Sequence, residues 1–172
     1  MVDKAAEGAV GKPFTLVIER GKVHEFALAI RSTNPAYLED EQPTMPPTFL
    51  TTQLLWEQLV DDSNPWRRVA MNQERVVHGE QEYIFHGPPP RAGTRLQCQS
   101  RIDRIFEKQG GRGGKLTFAI MVTEFRDDAG KLVAEARLTG IETERPPEAA
   151  ATTTEALATT TQAVATSKEE GT

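Results

Sequence analysis

Cysteine is nearly missing from this chain. Cys98 stands alone among 172 residues, which excludes an internal disulfide and any metal site built on cysteine. Histidine occurs three times, at positions 24, 78 and 86, with no spacing that suits zinc. No apolar run approaches the roughly 20 residues that cross a bilayer. The opening segment, MVDKAAEGAVGKPF, has no apolar stretch of the kind that marks a secretory signal. An excess of basic charge is missing as well. The chain carries 20 Lys+Arg against 25 Asp+Glu, a formal charge of -5, which argues against nucleic acid or an anionic membrane as the main partner. Basic residues gather only locally, at Arg67-Arg68 and between 104 and 115, enough for a small anion at most. A lone thiol fits a reducing cytoplasm.

What is present divides the chain into a frayed start, one domain and a tail. Residues 1–10 carry little apolar content. Residues 14–19 alternate as a short strand. Residues 23–30 place Val23, Phe26, Ala27 and Ile30 at helical spacing, and Thr33-Asn34-Pro35 stops that helix. A second helix is predicted over 47–60, opened by Pro46-Pro47. Phe49, Leu50, Leu54, Leu55, Trp56 and Leu59 make it apolar on most sides, with Glu57 and Gln58 at its wet edge. From residue 75 the period changes to two. Strands are expected over 75–86, with a bulge at Gly79, then over 94–107, 115–126 and 131–143. Leu96, Cys98, Ser100, Ile102 and either Ile105 or Phe106 should point inward. The Gly-rich segment 108–114 lies between two strands, so it reads as a hairpin and not as a phosphate loop. After residue 145 the composition turns to Ala and Thr. Residues 146–172 are expected to be a disordered tail or linker.

The order of elements, and several motifs within it, is similar to the MaoC-like (R)-specific hydratases and dehydratases, in their FAS1-like N-terminal branch. The resemblance rests on residues 19–29, on Asn34-Pro35-Ala36-Tyr37, on Pro46-Pro47-Thr48-Phe49, on residues 78–83 and on residues 91–96, and it covers about 11–143. It implies an α+β hot-dog fold: an antiparallel sheet wrapped around a long central helix, pairing with a second such domain into a double hot dog. It also implies an acyl thioester as substrate, of coenzyme A or of an acyl carrier protein, with no further cofactor and no metal.

Catalytic members of that family carry Asp-x-Asn-Pro-x-His in the loop after the first helix. The Asp and His activate a water that adds to C3 of a trans-2-enoyl thioester, or remove it in reverse. Here the Asp position holds Ser32 and the His position holds Tyr37. Neither is a competent base near neutral pH, since tyrosine titrates at about 10. The resemblance therefore implies a subunit without its own dyad, which binds the acyl group while a partner hot-dog subunit supplies Asp and His in a heterodimer or heterotetramer. Its candidate substrate contacts are Asn34, Pro47, Thr48, Phe49, Leu50, Leu54, His78 and Gly79. Arg112 and Lys115 are candidate contacts to the phosphates of coenzyme A. His24 reads as a surface residue and His86 as a structural one. Two alternatives stay open: a self-sufficient hydratase or thioesterase using His78 or Glu80, and a scaffold module tethered to a further catabolic domain.

Overall fold

The computed structural model describes residues 2–111 and 114–144. The expected tail, 146–172, and Arg112 lie outside the described residues. Five antiparallel strands form one sheet: β1 (Phe14–Val17), β2 (Val76–Phe85), β3 (Arg95–Gln109), β4 (Lys115–Arg126) and β5 (Leu132–Thr143), in the spatial order β1-β3-β4-β5-β2. Tight turns set the register. At the β4–β5 hairpin Asp127 Oδ1 accepts from the N–H groups of Ala129 and Lys131, at 3.0 and 2.9 Å. Gly130 supplies the positive φ of 79° that the turn needs. The bulge expected at Gly79 is present as a register shift between His78 and Glu80. A second bulge, between Ile102 and Arg104, makes Ile105 and not Phe106 the inward residue.

Helices cover the concave face: α1 (Arg20–Ala29), α2 (Pro35–Leu38) and α3 (Gln53–Glu57), with short 3-10 turns at Lys4–Ala6, Pro47–Thr52 and Pro65–Val69. Two apolar clusters result. One joins Phe14, Leu16, Val23, Phe49, Leu50 and Phe125 under the helices. The other joins Val69, Met71, Ile102, Ile105 and Met121 under residues 65–71. Trp66 lies against Gly140 so closely that a Cβ there would come within 2.5 Å of its ring.

Two expectations need correction. Residues 2–10 are not frayed. Val10 bridges Arg101, Gly8 N–H donates to Ile102 C=O, and Ala6 is buried in the second cluster. The helix over 47–60 is not one long buried helix either. It begins as a 3-10 turn through Thr52 and continues as five α-helical residues. Phe49 and Leu50 are buried as expected, but from Gln53 on the orientation is inverted relative to the sequence expectation. Leu54, Leu55 and Leu59 are 43%, 63% and 76% exposed, whereas Glu57 is 1% exposed. The reason lies on the sheet. Ser100 and Thr123 face each other across β3 and β4 on the concave side, and two buried hydroxyls need polar partners. Gln53 and Glu57, one helical turn apart, supply them.

Candidate functional site

The loop after α1 begins with a helix terminus of Schellman type. Ser32 N–H donates to Ala27 C=O and Arg31 N–H to Leu28 C=O, both at 2.9 Å. Arg31 takes the left-handed position, at φ 56°. Ser32 Oγ then accepts from Asn34 N–H at 3.3 Å, and Asn34 Oδ1 accepts from Ala36 N–H at 3.0 Å. Asn34 thus caps α2, with Pro35 in the first helical position where its missing N–H costs nothing. The side-chain oxygens of Ser32 and Asn34 are both spent on the loop's own backbone.

Tyr37 is half-buried and lines a shallow pocket of about 370 Å³ with Arg20, Gly21, His24, Asp40 and Pro43. Asp40 carries an ion pair to Arg91. The Gln42 N–H and the Arg91 guanidinium hold the Asp40 carboxyl below its ordinary pKa, so it is a fixed anion and not a proton donor. His24 is exposed on α1, as a surface residue should be. α2 packs back on α1 and brings Tyr37 to the same pocket, and the 38–46 connector, pinned by Met45 N–H to Pro90 C=O and Ala92 N–H to Pro43 C=O, adds Asp40 and Pro43 to it.

On the other side of α1 from the Tyr37 pocket, an apolar groove of about 430 Å³ runs between α1 and the segment that starts at Pro47. Phe26, Ala29, Phe49, Leu55, Trp56 and Leu59 line it, and Lys22 and Glu25 close one rim with a 3.2 Å ion pair. Phe26 and Phe49 meet edge to face at 5.4 Å. Thr52 also borders the groove, and its Oγ1 is buried without a partner among the described residues. Of the candidate substrate contacts, Phe49 alone lines this groove. Leu50 is sealed in the core, Pro47 and Thr48 are exposed at the segment's start, and Leu54 faces outward on another side.

The remaining candidates lie elsewhere. His78 and Gly79 are exposed on the edge strand β2. Lys115 sits beside Gln109, at the far end of a 15-residue strand that starts near the loop. At about 3.3 Å per residue that strand spans roughly 50 Å. Lys115 Nζ is also engaged by Glu107 at 3.0 Å. Within one chain, then, Lys115 and the loop do not come together. His86 pairs with Glu135 at 3.1 Å, in keeping with a structural role. Among the described residues no three or more His, Cys, Asp or Glu side chains gather to hold a metal ion, and no helix is long and apolar enough to cross a membrane.

Residues 5–136 match the protein family described as "FAS1-like, dehydratase domain region". The chain belongs to that family. It is 30% identical over 165 residues to a UPF0336 protein of Mycolicibacterium paratuberculosis, covering 88% of this chain and 90% of the relative. A UPF0336 protein of Streptomyces coelicolor is 32% identical over 129 residues, covering 69% and 79%. Among solved structures, the C-terminally truncated HadBC (3R-hydroxyacyl-ACP dehydratase) complex of Mycobacterium tuberculosis superposes with a TM-score of 0.61 at 23% identity, covering 78% of this chain and 96% of that one. The ChsH1-ChsH2 complex of the same organism gives a TM-score of 0.64 at 16% identity, covering 86% and 89%. At these identities the structural likeness speaks to fold. FAS1-like dehydratase domains and MaoC-like dehydratases share the hot-dog architecture, and the five-stranded sheet here has it.

Proposed function

We propose that this FAS1-like domain is the acyl-thioester-binding subunit of a heteromeric (3R)-specific enoyl-thioester hydratase or dehydratase, acting in the cytoplasm without a cofactor or metal. A partner hot-dog subunit with an intact Asp-x-Asn-Pro-x-His loop supplies the acid and base. The observation that carries this reading is the loop itself. Ser32 and Asn34 commit their oxygens to backbone N–H groups, leaving Tyr37 as its one titratable side chain after the Arg31 turn. Such a loop holds its shape and cannot move a proton to or from water near neutral pH. Two further features support the reading. The groove between α1 and Trp56 is lined mainly by apolar side chains, as an acyl chain requires. Leu54, Leu55 and Leu59 project outward from the same segment, and β2 leaves the sheet edge unpaired, which suits a partner that continues the sheet. HadBC is named as a complex of this reaction class, and ChsH1-ChsH2 is likewise a complex.

The test is co-expression with a hot-dog protein that has the intact loop, followed by assays on crotonyl and longer enoyl thioesters of coenzyme A and of acyl carrier protein. The expected result is turnover by the pair and none by either chain alone. Turnover by this chain alone, lost on His24→Ala, would instead make the pocket of His24 and Tyr37 a self-sufficient site. A chain that finds no partner able to restore turnover belongs to the scaffold reading.

A further inference from the structure

The convex face of the sheet, turned away from both cores, carries a pattern that thioester binding does not use. Residues directly opposite each other on paired strands share a face. The register therefore places Phe106, Phe118, Ile141 and Val77 in one row across β3, β4, β5 and β2. The adjacent row is Arg104, Ile120, Thr139 and Glu80. The rings of Phe106 and Phe118 stack, 4.9 Å apart and within 5° of parallel. The Arg104 guanidinium lies 4.9 Å from the Phe106 centroid, and Lys108 Nζ lies 5.3 and 5.4 Å from the two rings. Gly79 makes room for Ile141 in this band, since a Cβ there would fall 2.5 Å from Ile141 Cδ1. Other charges on this face are paired, Arg126 with Glu124 and Arg137 with Glu82 and Glu135. Arg104, Lys108 and Glu80 have no ion-pair partner among the described residues.

We propose that this face binds the same face of a second copy of the chain. The argument is the order of chemistry along the rows. One end is cationic, the middle is apolar and the other end is acidic. A two-fold axis parallel to the strands, passing between β4 and β5, carries each β3 over the other copy's β2. Arg104 then lies over Glu80 of the second copy, and its Glu80 over Arg104. The same operation lays Phe106 and Phe118 on the other copy's Val77 and Ile141. The contact is self-complementary, as a closed two-fold interface must be, and the sheets stack in the aligned manner of two packed sheets. Both copies carry a formal charge of -5, so general repulsion opposes the contact and the association is concentration-dependent.

Sedimentation velocity of the full chain over a concentration series tests this. At high concentration the wild-type particle should have twice the mass of Arg104→Glu. Glu80→Arg should dissociate it in the same way, and the double variant, with the charges exchanged, should re-form it. Equal masses for wild type and Arg104→Glu throughout the series overturn the proposal and leave the cations for an acidic protein partner. So does a double variant that stays dissociated. β3 lies three strands from the β2 edge, so the factor of two read from Arg104→Glu does not depend on whether a thioester-processing partner exists.

Discussion

Glu57 Oε1 accepts a hydrogen bond from Ser100 Oγ at 2.9 Å in the interior, between a helix and the sheet it packs on. Asn64 Nδ2 donates to the other carboxyl oxygen at 3.1 Å, and Ser100 is joined to Thr123 at 2.8 Å. Gln53 Nε2 completes the chain by donating to Thr123 Oγ1 at 3.2 Å. With the Ser100 hydroxyl donating to Glu57, Thr123 donates to Ser100, so every donor in the chain runs toward the carboxylate.

Burial holds the Glu57 pKa above its ordinary value, against the pull of Ser100 and Asn64. A carboxyl with a raised folded-state pKa binds more protons folded than unfolded, between the two pKa values. Its contribution to stability is therefore largest below the unfolded value and falls as pH rises through the folded one. Glu57→Gln removes that dependence. Denaturant titrations should find wild type gaining on Glu57→Gln as pH is lowered from 7 toward 4.5. A gap that is constant with pH would mean that Glu57 does not titrate differently in the fold.

Arg31 occupies the left-handed position of the α1 terminus, where glycine is the usual residue. Its side chain is exposed and makes no ion pair among the described residues, so the substitution Arg31→Gly removes backbone strain and little else. A gain of about 1 kcal/mol is expected, offset in part by the greater freedom of glycine in the unfolded chain. The shift should appear as a raised midpoint with an unchanged slope in urea.

The strands were legible because β3 alternates as far as its bulge after Ile102, β4 keeps a period of two, and their hairpins are marked by Gly110 to Gly114 and by Asp127 to Gly130. The Asn34-Pro35 turn was legible for the same reason, as its side chains act locally. The orientation of the 47–57 segment was not. Counting apolar residues placed Leu54, Leu55 and Leu59 inward, whereas the tertiary partners on the sheet are two hydroxyls. Ser100 falls on the inward face of β3 by alternation, and that was the available signal for a polar residue opposite. The link between His24 and Tyr37 depends on how α2 folds back on α1, which the spacing of residues along either helix does not show.

Cys98 is 1% exposed, and burial pushes its thiol up to about 12, with the Glu57 charge adding to the effect. The thiolate that reacts with electrophiles is almost absent at neutral pH. A maleimide should therefore leave the folded chain unlabelled and label it in denaturant. Labelling that follows the unfolding curve reports global opening. Labelling at the rate of a free thiol under native conditions would place Cys98 outside the core.

Gly140 packs under Trp66, and a Cβ at 140 would come within 2.5 Å of the ring. Gly140→Ala should cost about 2 kcal/mol by overpacking, with Trp66→Leu in the same background recovering part of the loss. Thermal melts of the two variants decide it. A Gly140→Ala chain as stable as wild type would show that Trp66 moves aside freely.

In a reconstituted heteromer, the loop and the groove predict opposite kinetic signatures. Ser32→Ala removes a hydroxyl whose oxygen serves Asn34 N–H, and Tyr37→Phe removes one that no proton transfer uses under the proposed division of labour. Both should leave kcat within about twofold, whereas loss of the partner's Asp or His abolishes it. Ala29→Trp acts on binding. Ala29 ends α1 at the groove wall, and an indole there displaces two to three methylenes of a long acyl chain, about 2 kcal/mol of apolar contact. KM for long-chain thioesters should rise roughly thirtyfold, with kcat unchanged and with crotonyl thioesters unaffected. A fall in kcat with Tyr37→Phe would return the proton chemistry to this chain. An equal rise in KM for short and long chains would place the acyl group somewhere other than the groove between α1 and Trp56.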